Sequence, residues 1–277
     1  MKHLKTYQLF ESQSGLTKDQ EWTLRFVEGS WSYDPATGLV NVEGDGDYKS
    51  RMAFDEGSTE NFSGVKFGKV TGFFDCSNNK IVDLDGCPQE VAGEFLCGRN
   101  QLTSLKGAPK IVGGYFECFS NALTTLEGCP EVVEDFDGSF NELVNLEGGP
   151  KKVRGHFACH GNPNMTSLKG APLEIGGSFE CDYFTLLDGQ WNTEGWLSVF
   201  NLEDEDETTR MARQFILPLL TPEVLNKEIQ KDPAGMVMKL KQIWNDEDFK
   251  EIRSKLVWPQ GYAEEADLVG DLDDVGF

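Results

Sequence analysis

Histidine is scarce in this sequence: His3, His156 and His160 are the three among 277 residues. The last two lie four apart along a predicted strand, about 13 Å in extended geometry, too far to share a metal. No Ser-His-Asp arrangement can be assigned. GVKFGK, at Gly64 to Lys69, is one residue short of a phosphate loop and lacks the following Ser or Thr. The expectation is therefore no catalytic residue, no metal and no cofactor.

Basic residues are also few, 25 Lys and Arg against 47 Asp and Glu, for a net charge of −22. Such a summed field repels nucleic-acid backbones and anionic membranes, so direct nucleic-acid binding is not expected. A basic protein partner is. Competition for a DNA-binding surface by acidic mimicry is the alternative. No stretch approaches 18 consecutive apolar residues, so no membrane span is expected. The start, MKHLKTYQLFESQSG, has no apolar run or small-residue cleavage site, so a secretory signal is not expected. Cysteine number is odd, seven, with no CxxC pair, pointing to reduced thiols in a cytosol.

What the chain has in excess is glycine, 30 residues, and phenylalanine, 19. A repeat consumes many of both. G-x-F-x-C-x-x-N-x-L-T-x-L-x-G-x-P-x-x-V occurs twice between Gly93 and Val133, and its marker Asn falls at Asn79, Asn100, Asn121, Asn141 and Asn162, in steps of 21, 21, 20 and 21. A sixth half-unit, GSFECDYFTLLDG, ends the array. A fixed period in this range means a solenoid whose units stack only on their neighbours. F-x-C is period-two alternation, so Phe and Cys share one face of a short strand. The Asn amide can bond backbone groups at the turn. L-x-x-L returns apolar side chains to the core, and G-x-P closes the coil. Phe74, Phe95, Phe116, Phe136, Phe157 and Phe179 should form an internal column, with Cys76, Cys97, Cys118, Cys159 and Cys181 beside it as small buried hydrophobes. The fourth unit has Gly138 in the Cys slot, and the fifth inserts residues around Pro163.

These units resemble the leucine-rich repeat, closest to the short bacterial type P-x-x-L-x-x-L-x-V-x-x-N-x-L, with Phe and Cys in two Leu slots. The fourth unit, from Pro130 through Val133, Phe136, Gly138 and Asn141 to Leu143, has that spacing. The resemblance covers about residues 72–190. It implies an α/β-type solenoid, a right-handed coil with a parallel sheet, and use as a protein-binding scaffold. Some bacterial effectors join this repeat type to a ubiquitin ligase with a catalytic Cys. Here the last Cys is Cys181, inside the repeats, which removes the nucleophile such a domain needs.

The outward strand positions are the candidate binding residues. One column reads Phe73, Glu94, Tyr115, Asp135, His156 and Ser178; the other reads Asp75, Leu96, Glu117, Asp137, Ala158 and Glu180. An acidic strip with aromatic spots suits a protein interface.

Around the array we expect a leader or flexible N-terminus at 1–20, a β-rich cap at 21–71, a helical region at 191–262 and an acidic tail at 263–277. In the cap, EWTLRFVEG, SWSYD and GLVNVEGDG alternate like strands, with Trp22, Leu24, Phe26 and Trp31 as cap residues. Three or four helices are expected over 203–257. Thr221-Pro222 and Asp232-Pro233 are start signals, Asp246 is another start, and the acids from Glu203 to Glu207 suit a helix N-terminus.

Two terminal segments carry further resemblances. KTYQLFE, Lys5 to Glu11, resembles the capsid-targeting leader of internal head proteins of T-even-like phages, with cleavage after Glu11. That implies a phage-encoded protein packaged in the head. DLDDVGF, ending in Asp273, Asp274 and Phe277, is similar to the tail tip of bacterial single-stranded-DNA-binding proteins, with Gly276 in place of Pro. It implies capture in a basic-rimmed pocket. The expected function is thus a non-enzymatic interaction scaffold in a bacterial cytoplasm. The alternatives are an acidic inhibitor acting through the tail, or an internal virion protein.

Overall fold

A computed structural model describes residues 15–24, 27, 30–43, 46–47, 62–182, 184–187, 189–199, 207–244 and 249–262. It begins with helix α1 (Lys18–Leu24), followed by β1 (Ser30–Asp34), β2 (Leu39–Glu43), β3 (Gly46–Asp47) and β4 (Phe67–Val70). The helix is a correction, since alternation over EWTLRFVEG predicts a strand. Its start is fixed locally: Thr17 Oγ1 accepts the Gln20 N–H at 3.2 Å while Gln20 Oε1 accepts the Thr17 N–H at 2.9 Å, a reciprocal capping box. The hairpin β1–β2 turns through Pro35 to Gly38 as expected, and pairs antiparallel with Trp31 opposite Val42. Leu24 is fully buried and Trp31 packs against the core, whereas Phe26 and the Trp22 side chain lie outside the described residues.

Each repeat then makes one coil of two short parallel strands. In chain order they are β5 (Phe74–Asp75) and β6 (Glu90–Val91), β7 (Phe95–Leu96) and β8 (Ile111–Val112), β9 (Phe116–Glu117) and β10 (Val132–Val133), β11 (Phe136–Asp137) and β12 (Lys152–Val153), β13 (Phe157–Ala158) and β14 (Glu174–Ile175), β15 (Phe179–Glu180) and finally β16 (Thr185–Leu186). The Phe-bearing strands form a sheet ordered β3-β5-β7-β9-β11-β13-β15-β16, parallel except for β16. The Val-bearing strands form a second face, β4-β6-β8 and β10-β12-β14.

The solenoid is therefore as expected, but its coils are all-β rather than α/β. The returning limb L-x-x-L-x-G-x-P carries no helix among the described residues. The turn glycines sit at positive φ, Gly107 at 96° and Gly128 at 104°, and the Pro that follows each in the repeat removes a donor, so a helix has nowhere to run.

The core follows the repeat. The six column phenylalanines stack with ring centroids 6.0, 5.3, 6.0, 4.8 and 5.4 Å apart along the array. Burying a ring of this size contributes up to about 3 kcal/mol. Ile81/Leu84, Leu102/Leu105, Leu123/Leu126, Leu143/Leu146 and Met165/Leu168 fill the opposite wall, and four of the five column cysteines are fully buried, with Cys181 half-buried. In the Cys slot of the fourth coil, the Phe136 ring occupies the space: a Cβ on Gly138 would stand 2.9 Å from Phe136 Cε1.

The marker asparagines clamp successive coils. Asn121 Nδ2 donates to the carbonyls of Cys118 in its own coil and Cys97 in the previous one, both at 3.1 Å, and its Oδ1 accepts the Leu102 N–H at 3.0 Å. Asn100, Asn141 and Asn162 repeat the pattern. The ladder therefore runs through backbone groups.

The last coil is closed by aromatic contact. Trp191 stacks on Phe179 at 4.4 Å, donates its Nε1–H to Pro172 O at 2.9 Å, and meets Trp196 edge-on at 5.5 Å. Helix α2 (Thr193–Ser198), which sequence reasoning misses, starts there with Asn192 accepting the Gly195 N–H at 2.9 Å. Then come α3 (Glu207–Ile216), α4 (Pro222–Lys231), α5 (Pro233–Leu240) and α6 (Lys250–Arg253). Thr221 and Asp232 cap α4 and α5, each followed by Pro. Glu207 opens α3, while Glu203 and Asp246 lie outside the described residues. Buried Phe215, Ile216, Leu225, Ile229 and Leu240 join one continuous core with the coils. Among the described residues no helix is long and apolar enough to cross a membrane.

Candidate functional site

The strands that bury Phe and Cys point their alternate side chains outward, and the alternation extends one step further than the sequence columns. A third outward column reads Ser77, Gly98, Phe119, Ser139, His160 and Asp182. Sequence reasoning misses it because the sheet pairing ends before it. The signal was the F-x-C-x phase itself, carried one residue on. The face is thus a grid of six rungs and three columns. Its carboxylates are Asp75, Glu94, Glu117, Asp135, Asp137, Glu180 and Asp182, and no Lys or Arg stands at any position.

The expected binding residues differ in access. Glu94 and His156 are exposed; Phe73, Leu96, Tyr115, Glu117, Asp135, Asp137, Ala158 and Glu180 are half-buried among their neighbours. Asp75 is a correction: it is 2% exposed, and so is not available to a partner. Its strand is flanked in the sheet by β3, with Asp47 in register with Asp75, and its Oδ1 accepts both the Ser77 N–H at 2.9 Å and the Ser77 hydroxyl at 2.6 Å. Ser178 is buried as well. Asp273, Asp274 and Phe277 lie outside the described residues, as does the leader-like segment ending at Glu11.

Hydrogen bonds tie the rungs together. The Tyr115 hydroxyl donates to Asp137 Oδ2 at 3.3 Å, across from the third rung to the fourth. Burial pushes the phenol's pKa up, and the Asp137 and Glu117 charges push it further, so Tyr115 remains a donor at any physiological pH. The Ser178 N–H donates to His156 Nδ1 at 3.1 Å, and the Ser178 hydroxyl lies 2.7 Å from the same nitrogen and 3.0 Å from Glu180 Oε1. Ser139 Oγ is 3.1 Å from His160 Nδ1. Both serines are buried, 1% and 5% exposed, so these Ser–His pairs fasten rung to rung and present no hydroxyl to a substrate.

Cations collect on the other side of the coil. Lys69 pairs with Glu90 at 3.4 Å, Lys151 with Glu131 at 2.6 Å, Arg154 with Glu134 at 3.5 Å, Lys169 with Glu147 at 2.8 Å, and Lys152 with Glu174. Each pair joins adjacent coils. Exposed Ile111 and Val132 stand on that second face. The two sheets are thus electrostatically unlike: one is paired, the other carries a run of carboxylates.

No protein-family model, no curated protein and no solved structure matches the chain.

Proposed function

We propose that this protein is a non-enzymatic interaction scaffold that engages a basic protein partner through the outward face of its Phe-bearing sheet. One observation carries the reading: the eighteen grid positions hold carboxylates and aromatics but no Lys or Arg, while paired cations line the second sheet. A strip of carboxylates with no Lys or Arg at its grid positions, on an extended rigid sheet, steers and orients a cationic surface. Its half-buried Tyr115, Phe73 and Leu96 supply apolar contact of the kind that anchors interfaces. Extended repeat sheets serve this purpose, and the resemblance to short bacterial leucine-rich repeats supports the same use.

The test is a capture experiment from bacterial lysate with three baits: the full chain, a chain ending at residue 262, and the face variant Glu94→Lys/Glu117→Lys/Asp137→Lys. The partner should be retained by the truncated chain and lost by the face variant. Loss on truncation with retention by the face variant would move binding to the tail and overturn the proposal.

A further inference from the structure

Resting on that reading, we propose that Phe140 is the anchor of the face and that it takes an arginine side chain of the basic partner. After the third outward column, the described coils hold one residue in left-handed conformation: Asn78 at φ 57°, Arg99 at 52°, Ser120 at 54°, Phe140 at 54° and Gly161 at 67°. Asn and Gly suit that conformation; a bulky aromatic ring does not. Yet Phe140 is also 55% exposed, so the ring gains little burial in return.

The ring's setting leaves it ready for a cation. It lies on the backbone of Gly161 in the next coil, where a Cβ would stand 2.5 Å from Phe140 Cδ1. His160 meets it edge-on at 5.0 Å. Phe119 leans the opposite way, over Gly98, where a Cβ would stand 2.6 Å from its Cδ1. The two rings diverge, and Ser120 and Ser139 stand between them in the sequence of coils.

The chain itself shows what such a ring accepts. The Arg99 guanidinium lies 5.2 Å from the Phe119 centroid. Phe140 fills in its own coil the slot that Arg99 fills two coils earlier, and it meets His160 as Arg99 meets Phe119. Three carboxylates belong to the coils around the ring. Asp137 stands in the same coil, Asp182 accepts the Gly161 N–H at 2.7 Å, and exposed Glu142 accepts from Asn164 at 2.6 Å. A planar, weakly hydrated guanidinium stacks on an aromatic face and still reaches carboxylates, whereas a lysine ammonium keeps its water.

Labelled octa-arginine and octa-lysine peptides, titrated by fluorescence anisotropy at about 0.15 M salt, provide the test. The full chain should bind octa-arginine about fivefold more tightly. Phe140→Ser should abolish that preference while leaving octa-lysine binding unchanged. Serine already occupies the equivalent position as Ser120, so the variant keeps the fold, checked by its melting curve. Equal binding of the two peptides, or a preference that survives Phe140→Ser, overturns the proposal. If Glu117→Gln/Asp137→Asn weakens both peptides equally and Phe140→Ser does nothing, the acidic-face reading stands and the arginine anchor falls. No binding of either peptide overturns both. A dimer of the free chain that dissociates in Phe140→Ser would assign the ring to a second copy, and also overturns it.

Discussion

The backbone N–H of Leu102 donates to Asn121 Oδ1 at 3.0 Å, across the boundary between two coils. The same amide donates to Cys97 and Cys118, so one side chain satisfies three backbone groups of two coils. Truncating it strands the Leu102 N–H, at about 1–3 kcal/mol, while Cys97 O keeps the amide of Asn100 and Cys118 O keeps that of Asn141. Asn121→Ala should therefore cost about 2 kcal/mol in a urea titration. Asn145, which caps an exposed turn through the Glu147 N–H at 2.9 Å, is the comparison, and Asn145→Ala should cost under about 1 kcal/mol. Equal losses would show that the coil-to-coil bridge contributes nothing.

Gly107 closes its coil at φ 96°, and a Cβ there would stand 2.8 Å from the Leu84 carbonyl oxygen. Both the conformation and the space oppose any side chain. Gly107→Ala should destabilise by about 2 kcal/mol or more, whereas Gly38→Ala, where nothing lies within 4 Å, should show only the conformational part of that loss. Thermal denaturation of the two variants separates the contributions.

Burial holds the thiols of Cys87, Cys97, Cys118, Cys129 and Cys159 well above their ordinary pKa. Protons thus stay on the folded chain after the unfolded chain has lost them. Folding stability should be intact below about pH 8.5, the ordinary thiol range, and should fall as pH rises past it. The urea midpoint measured from pH 7 to pH 10 should show that decline, and Cys118→Ala should make it shallower. In native buffer the buried thiols of Cys87, Cys97, Cys118 and Cys159 should react with a disulfide reagent only as fast as the chain opens.

Coils of this kind meet only their neighbours, so a whole period can be removed without disturbing phase. Deleting residues 95–115 joins Glu94 to Phe116, which takes the place of Phe95 in the stack. That variant should stay folded with a lower midpoint. Deleting residues 95–104 breaks the Phe and Asn phase and should leave no cooperative transition. A cooperative melt in the second variant would argue against phase as the organising feature.

The features legible in the sequence are those that recur with large side chains. Phe and Asn at a fixed interval define the stack and the clamp, and Thr221-Pro222 and Asp232-Pro233 carry their own capping chemistry. The second strand of each coil was not legible. Val91, Val112, Val133, Val153 and Ile175 are single buried residues in two-residue strands, too short for an alternation to register. The hidden position of Asp75 was not legible either, because its carboxylate folds back onto Ser77 in a strand whose edge is paired by β3, from 28 residues earlier. Helix α1 overrode a strand-like alternation through a reciprocal cap between Thr17 and Gln20, outside the segment that showed the alternation. Of the face itself, the two columns beside Phe were readable. The third was not, and it holds Phe119 and His160.

The unlike charge of the two sheets has a kinetic meaning. A molecule whose one flank pairs its charges across coils and whose other flank sets carboxylates at positions without Lys or Arg has a transverse electric moment. A cationic body approaching it within about a Debye length, roughly 8 Å at physiological salt, experiences a torque before it experiences contact. Encounters would then begin already turned toward the Phe-bearing sheet, and selection of the correct flank would need no search over the rod's circumference.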